Sequence, residues 1–307
     1  MKTHLIHVSS GFTAAGCIVK SADYHAMAHF CGMPLPEKYQ HQQRQKSLEK
    51  MVRTFQPDMI FFAGSCKFDI PRLKSYWNGI PVFHDYDGPR RNTPEDFVEI
   101  SKNCVLVTVS RYIEQEVKKQ GAECFYLPHG VDTEFYHPEH GTRQNCTAPC
   151  SCIGRATPRR IEICSVLKND IVLYGDRWKK TQLAGNCKLK RNVREKELVS
   201  IYRDSGMMLN VLQEGLDTFQ TIPSLQCFAV PATAGCLCAE YVLEFPELFE
   251  SGKEILTFRS KEELPDLLEK VKRSPDWAKN IGEAGRKRCL AEHTHTHRAK
   301  ALLKMLS

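Results

Sequence analysis

No stretch of this chain reaches the roughly 18 consecutive apolar residues that a membrane-spanning helix requires, so a soluble protein is expected. Met1 to Ser10 mixes His4 and His7 with apolar residues and lacks an apolar core leading into a small-residue cleavage site. Nothing there predicts secretion, and a cytoplasmic location is expected. No G-x-G-x-x-G follows the first candidate strand, which argues against a nicotinamide-dependent oxidoreductase. No two carboxylates stand out as the flanking pair of a retaining hydrolase. The 14 cysteines lack regular spacing, so neither a disulfide framework nor a zinc ribbon is indicated. Cys104, Cys124, Cys164, Cys227, Cys236 and Cys238 lie in apolar runs, where free thiols act as small core residues. The C-x3-C-x-C spacing of Cys146, Cys150 and Cys152 is irregular, and no second C-x-x-C follows. His293, His295 and His297 alternate within an expected helix, which scatters them around its axis. No metal is therefore expected, and the sequon at Asn145 to Thr147 reads as a chance match.

What is present is ordinary globular composition, 42% hydrophobic and 26% charged over 307 residues. That length suits two domains of roughly 150 residues each. The net charge of +7 favours anionic ligands, and is equally compatible with diphosphates, nucleic acid or a membrane surface.

Short apolar runs alternate with helical segments, the pattern of a parallel sheet with crossover helices. In the first half the expected strands are Leu5 to Ser9, Met59 to Ala63, Pro81 to His84, Val105 to Val109 and Cys124 to Leu127. Helices are expected over Gln45 to Phe55 and Ser110 to Gln120, the second closed by Gly121. Pro138 to Pro149 reads as a linker. The alternation then restarts with Ser151 to Ile153, Ile171 to Tyr174, Met207 to Val211, Gly235 to Ala239 and Ile255 to Phe258. Thr157 with Pro158, and Ser260 with Glu263, are helix starts. Ser274 and Pro275 open another helix, and from Ile281 one basic amphipathic segment is expected to run to the C-terminus. The expected architecture is α/β, a pair of Rossmann-like domains facing each other across a cleft, with ligands at the C-terminal ends of the strands.

Several segments, taken in order, resemble the spore-maturation (CgeB-like) glycosyltransferases, a branch of the retaining GT-B superfamily. The segments are Gly235-Cys-Leu-Cys-Ala-Glu240-Tyr241, Glu247-Leu-Phe-Glu-Ser-Gly252-Lys-Glu254, Ala284-Gly285-Arg286 and Glu292-His293-Thr294. Upstream lie Leu127-Pro-His129-Gly-Val-Asp132-Thr, Phe135-Tyr-His-Pro138, Ile153-Gly154-Arg155, Leu173-Tyr174-Gly175 with Trp178, and Leu209-Asn210-Val211. The resemblance spans roughly residues 80 to 307. It implies an acceptor-side domain over 1–142, a nucleotide-sugar donor domain over 143–285, and a C-terminal helix over 286–307 that packs back on the N-terminal domain. It also implies sugar transfer from a nucleoside diphosphate, such as UDP, with retention and without a metal or other cofactor. The acceptor and the oligomeric state stay open.

Without a metal, a departing diphosphate needs cationic side chains and a helix N-terminus. Gly154-Arg155-Ala-Thr-Pro-Arg159-Arg160 follows an expected strand and opens a helix, so its amides, Arg155, Arg159 and Arg160 are the donor-side candidates; a solvated basic turn is the plainer alternative. Gly235, after small residues 231–234, lies beside the donor in the family, and Glu240 and Tyr241 follow the next strand. The family's acidic pair is absent: the aligned positions are Ala229 and Thr221, with Glu214, Asp217 and Gln226 as nearby substitutes. On the acceptor side, His84 at the end of its strand could deprotonate a hydroxyl, with Asp85 fixing its charge state; a structural hydrogen-bonded pair is the alternative. Asp87, Arg90 and Arg91 follow it, and Gly11, with Gly16, would form a loop meeting the diphosphate. His129 reads as hinge packing. The surplus of basic residues around Arg90, Arg91, Trp178, Lys179, Lys180, Lys188, Lys190, Arg191 and Arg194 motivates a second reading, a DNA glycosyltransferase acting on a hydroxymethylated base. A third is an inactive nucleotide-sugar or carbohydrate-binding protein, suggested by Ala229.

Overall fold

The computed structural model describes residues 2–24, 26–30, 33–34, 36–64, 68–90, 92–141, 148–179, 188–190, 193, 195–212 and 222–307. Contacts divide the chain into two units, Met1–Pro128 and His129–Ser307. The division falls earlier than the expected boundary at 142. The reason is that residues 129–131 are held within the second unit: Val131 exchanges backbone hydrogen bonds with His293 and His295.

The first unit contains α1 (Lys2–Ala14), a short antiparallel pair of β1 (His29–Phe30) and β2 (Met33–Pro34), α2 (Glu37–Phe55), β3 (Met59–Ala63), α3 (Ile70–Lys74), β4 (Ile80–Asp85), α4 (Pro94–Ser101), β5 (Val105–Thr108), α5 (Arg111–Lys119) and β6 (Phe125–Tyr126). The order β3-β4-β5-β6 is parallel throughout. Leu48 and Val52 of α2, Leu73 of α3, Phe97 of α4, and Ile113 and Val117 of α5 bury against Phe83 and Leu106 of the sheet. Ser110 caps α5 by accepting from the Ile113 amide at 3.3 Å, and Gly121 ends that segment with a φ of +79°.

The segment expected as a first strand, Leu5 to Ser9, is instead helical, within α1. Val8, Gly11 and Phe12 are buried at helical spacing, and the Phe12 ring packs edge-on against Phe61 of β3, centroids 5.3 Å apart. Gly16, at φ +92°, closes α1: its amide bonds the Thr13 carbonyl, while Cys17 bonds Phe12. That crossed pair of bonds needs a left-handed residue, which glycine adopts without a Cβ penalty.

The second unit runs β7 (Cys150–Ile153), α6 (Pro158–Ser165), β8 (Ile171–Tyr174), β9 (Lys188–Lys190), α7 (Glu195–Asp204), β10 (Met207–Asn210), α8 (Gln226–Ala232), β11 (Leu237–Glu240), α9 (Phe245–Leu248), β12 (Leu256–Phe258), α10 (Leu264–Arg273), α11 (Pro275–Glu292) and α12 (His295–Leu306). All six strands are parallel, in the order β9-β8-β7-β10-β11-β12. Counted from β7, this is 3-2-1-4-5-6, the doubly wound dinucleotide-fold order, whose direction reverses between β7 and β10.

Alternate strand residues face opposite sides, and both sides are covered. Met207, Leu209, Cys236, Cys238, Ile171 and Leu173 pack with Ile163 and Cys164 of α6 and Leu264, Leu268 and Val271 of α10. Met208, Leu237, Ala239, Val172 and Tyr174 pack with Val199 and Tyr202 of α7 and Phe228 of α8. Double burial explains why these strands read as continuous apolar runs. The cysteines of β7 and β11 are core residues on one face, while Cys146 lies outside the described residues.

The single helix expected from Ile281 to the end is two helices. His293 ends α11, its amide bonding Cys289, and Thr294 in extended conformation caps α12 by accepting from His297 at 3.2 Å. Both helices belong to the second unit. Among the described residues no helix is long and apolar enough to cross a membrane.

Candidate functional site

Strand-order reversal leaves a crevice outside the carboxyl ends of the first and fourth strands of such a sheet, here β7 and β10. Three loops converge on it. The turn after β7, Gly154 to Thr157, is zipped to the loop after β8. Gly154 donates to Tyr174 at 2.9 Å and Ala156 to Asp176 at 2.9 Å, and the buried Trp178 indole donates to the Gly154 carbonyl at 2.9 Å. Gly175 packs so closely on Gly154 that a Cβ there would strike its carbonyl. The amides of Gly154 and Ala156 are thus committed to the fold rather than offered to a ligand, a correction to the expectation from sequence. Cationic side chains remain. Arg155 is exposed, and Arg160 donates to the Arg155 carbonyl at 3.0 Å, its guanidinium lying against Gly154. Thr157 caps α6 by accepting from the Arg160 amide, with Pro158 in the first turn and no acidic residue there.

Arg159 and Glu240, both assigned to donor contact from sequence, instead hold each other. Arg159 Nη2 donates to Glu240 Oε1, and Arg159 Nε reaches Oε2 at 3.3 Å. The Leu212 amide also donates to Oε2, at 3.0 Å. The Glu240 side chain is 7% exposed and that of Arg159 42%.

Beneath the reversal lies a polar group that sequence reasoning largely missed. Asn210, the last residue of β10, donates to Gln226 Oε1 at 2.8 Å and to Ser224 Oγ at 3.0 Å. Gln226 in turn donates to the Ile153 carbonyl at 3.2 Å, so the head of α8 is tied to the ends of β7 and β10. The available signal was an asparagine ending an otherwise apolar strand. Gln226 opens α8, whereas Ala229, the position aligned with the family glutamate, is buried in the core. Glu214, Asp217 and Thr221 lie outside the described residues.

Gly235 is small for a different reason from the one expected: a Cβ there would run into the Tyr202 carbonyl. The neighbour that demands glycine is the chain's own backbone. Tyr241 carries the Arg259 guanidinium 3.6 Å from its ring centroid and meets Phe245 edge-on. These rings, with Phe249, Glu250, Glu254 and Arg288, line a depression of about 440 Å³.

In the first unit, His84 and Asp85 end β4, and as consecutive strand residues they face opposite sides. The expected pairing of the two side chains is therefore replaced by two separate environments. His84 Nε2 lies 3.3 Å from the Leu127 carbonyl; a carbonyl only accepts, so Nε2 carries a proton. Its ring sits 4.2 Å from Tyr86 and 5.5 Å from Phe61. Asp85 accepts from the Asp87 and Gly88 amides at 3.1 and 3.0 Å and from the Thr108 hydroxyl at 2.9 Å. Burial pushes its pKa up to about 6, opposed by those hydrogen bonds and reinforced by the Asp87 charge. Asp87 is half-buried, Arg90 ends the short turn Gly88–Arg90, and Arg91, like Lys180, Arg191 and Arg194, lies outside the described residues. Gly11 is buried in the interior of α1 and forms no loop. His129 packs edge-on against Phe228, and its carbonyl accepts from Arg298 at 3.1 Å.

Residues 156–304 match the family model described as glycosyl transferase-like. Most of the second unit is therefore similar to that family. Sucrose-phosphate synthase from Thermosynechococcus elongatus superimposes with a TM-score of 0.63 at 12% identity, covering 91% of this chain and 81% of that one. Anabaena Alr3699/HepE in complex with UDP-glucose gives 0.63 at 11%, covering 88% and 84%. A glycosyltransferase from Rickettsia africae gives 0.63 at 15%, covering 89% and 83%. No curated protein matches in sequence. The α/β fold, with two parallel sheets, is that of the GT-B glycosyltransferases.

Proposed function

We propose that this protein transfers a sugar from a nucleoside diphosphate, with UDP the first candidate, to an acceptor hydroxyl. The observation that carries the proposal is the position of the cationic turn Gly154 to Arg160 at the strand-order reversal of the glycosyl transferase-like domain. A diphosphate leaving there would meet Arg155 and Arg160, and Thr157 begins a helix whose dipole favours negative charge. The UDP-glucose complex of the Anabaena neighbour supports uracil as the base. Metal independence follows from the use of arginines for charge, and retention from the resemblance to CgeB-like enzymes, the finer family assignment proposed for the chain. Gln226 at the head of α8 stands in for the missing acidic residue, as a neutral donor and acceptor toward the nucleotide.

The first unit supplies the acceptor side. His84, at the carboxyl end of β4, is the candidate base for the acceptor hydroxyl, and Asp85 holds the following turn in shape. DNA as acceptor is the alternative that the surplus of basic residues motivates, and salt-insensitive binding of a DNA duplex would remove its basis.

The test is a thermal-shift screen of nucleoside diphosphates and their sugars against the purified protein, followed by donor hydrolysis. UDP or a UDP-sugar is expected to raise Tm in proportion to saturation. No stabilisation by any nucleotide, and no turnover, would overturn the proposal.

A further inference from the structure

Glu240 is nearly inaccessible to solvent, yet it is an acidic residue, paired with Arg159, at the end of an interior strand. Burying a carboxylate costs several kcal/mol unless partners replace its water. Here both oxygens are engaged, by two nitrogens of Arg159 and by the Leu212 amide. The partners come from three places: Arg159 from the first turn of α6, Leu212 from just beyond β10, and Glu240 from the end of β11. One carboxylate therefore ties together three strand-end loops at the crevice.

The pair is a poor direct ligand for a diphosphate. Glu240 neutralises Arg159, so together they add no net positive charge, and a carboxylate facing phosphate oxygens would repel them. Its geometry serves arrangement instead. A bidentate arginine–carboxylate contact fixes the guanidinium plane and hence the backbone that carries it. That backbone is contiguous with Arg160, whose guanidinium already folds back onto the Arg155 carbonyl.

We propose that Glu240 is a positioning residue for the donor turn: its carboxylate locks the start of α6 to the end of β10, and so sets the arrangement in which Arg155 and Arg160 meet a nucleoside diphosphate. This rests on the donor assignment made above.

The test combines UDP binding by calorimetry with hydrogen exchange at the Leu212 amide and Tm, on wild type, Glu240→Gln, Arg159→Met and the double variant. Glutamine is nearly isosteric and keeps the side chain hydrogen-bonding, yet it cannot neutralise Arg159 or hold it bidentately. Each single variant is expected to weaken UDP binding about tenfold, and the double variant no more than either single, because they break the same contact. Leu212 exchange is expected to accelerate in Glu240→Gln while the Tm stays within a few degrees of wild type. Unchanged UDP affinity in variants with a lowered Tm would make the pair merely structural and overturn the proposal. Losses that add in the double variant would make each residue a separate donor contact and overturn it too. Wild type that binds no UDP would instead sink the donor assignment, and the positioning role with it. The Leu212 exchange result would still report whether the carboxylate holds that loop.

Discussion

The two sheets of this protein handle polar groups at their strand ends differently. In the first unit the strand order β3-β4-β5-β6 never reverses, and Asp85 is satisfied by its own turn and by the adjacent strand. In the second unit the order reverses between β7 and β10, and polar residues there reach across the chain: Arg159 to Glu240 and Gln226 to Ile153. In the sheet without a reversal the carboxylate that ends β4 is closed by its own turn and the neighbouring strand. A sheet with a reversal opens a crevice whose walls come from separate loops, and those loops need ties between them to keep a shape.

The strongest way to sharpen the comparison is to unfold the units separately. Phe97 and Phe228 are each fully buried, in different cores. Phe97→Ala and Phe228→Ala should each cost about 3–5 kcal/mol, with hydrogen-exchange protection lost first in the unit carrying the substitution. Equal loss in both units from either change would mean that they do not behave as separate cooperative bodies.

Acid should push the two units in opposite directions. Asp85 has a folded pKa of about 6 against an ordinary 3.8, so its contribution is most favourable below about pH 4 and is lost as pH rises through 6. His293, buried with Nε2 2.7 Å from the Leu248 carbonyl, has its pKa lowered by burial to about 4. Its contribution is complete above about 6.5 and is lost as pH falls toward 4. Each swing is worth about 3 kcal/mol at most. Lowering the pH from 7 to 4.5 should therefore raise protection in β4 relative to α11 and α12. Asp85→Asn should remove the first effect and His293→Gln the second, and an unchanged pH profile in Asp85→Asn would remove that residue from the account.

The tie across the crevice comes next. Arg159→Met leaves Glu240 with only the Leu212 amide; because Arg159 is partly exposed, the expected loss is about 1–3 kcal/mol rather than the full buried-pair value. The local closure in the first unit should matter less: Thr108→Val, leaving Asp85 its two amides, should cost about 1 kcal/mol. Chemical denaturation of both variants checks the ranking, and the reverse order would break the contrast between crossed and local satisfaction.

Much of this architecture was legible in the chain. Met59–Ala63 and Ile171–Tyr174 are strands with the bounds that their apolar runs predict; the second is buried throughout, which leaves a continuous signal, whereas most of the first is half-buried. The helix starts at Thr157 and Ser260 follow from capping chemistry, and that at Pro275 from the fit of proline to a first helical turn, since Ser274 makes no side-chain cap. Leu5 to Ser9 misled because a short apolar run fits a strand or one turn of helix equally well, and the helical spacing appears only when Phe12 is included. The site was legible by position more than by role. Glu240, Arg159 and Gly154 stand out in the sequence because strand ends in such sheets face ligands. Their partners are 81 and 24 residues away in sequence, a distance at which no local pattern reveals a contact. Gly235 shows the same limit, since its crowding neighbour is the carbonyl of Tyr202 on another helix.

The most direct test is a crystal structure of the protein soaked with UDP. The pyrophosphoryl oxygens should lie within hydrogen-bonding reach of Arg155 or Arg160, beyond the carboxyl ends of β7 and β10, with the Arg159–Glu240 contact unbroken. A nucleotide seated elsewhere on the second unit, or density for none at saturating concentration, would contradict the account.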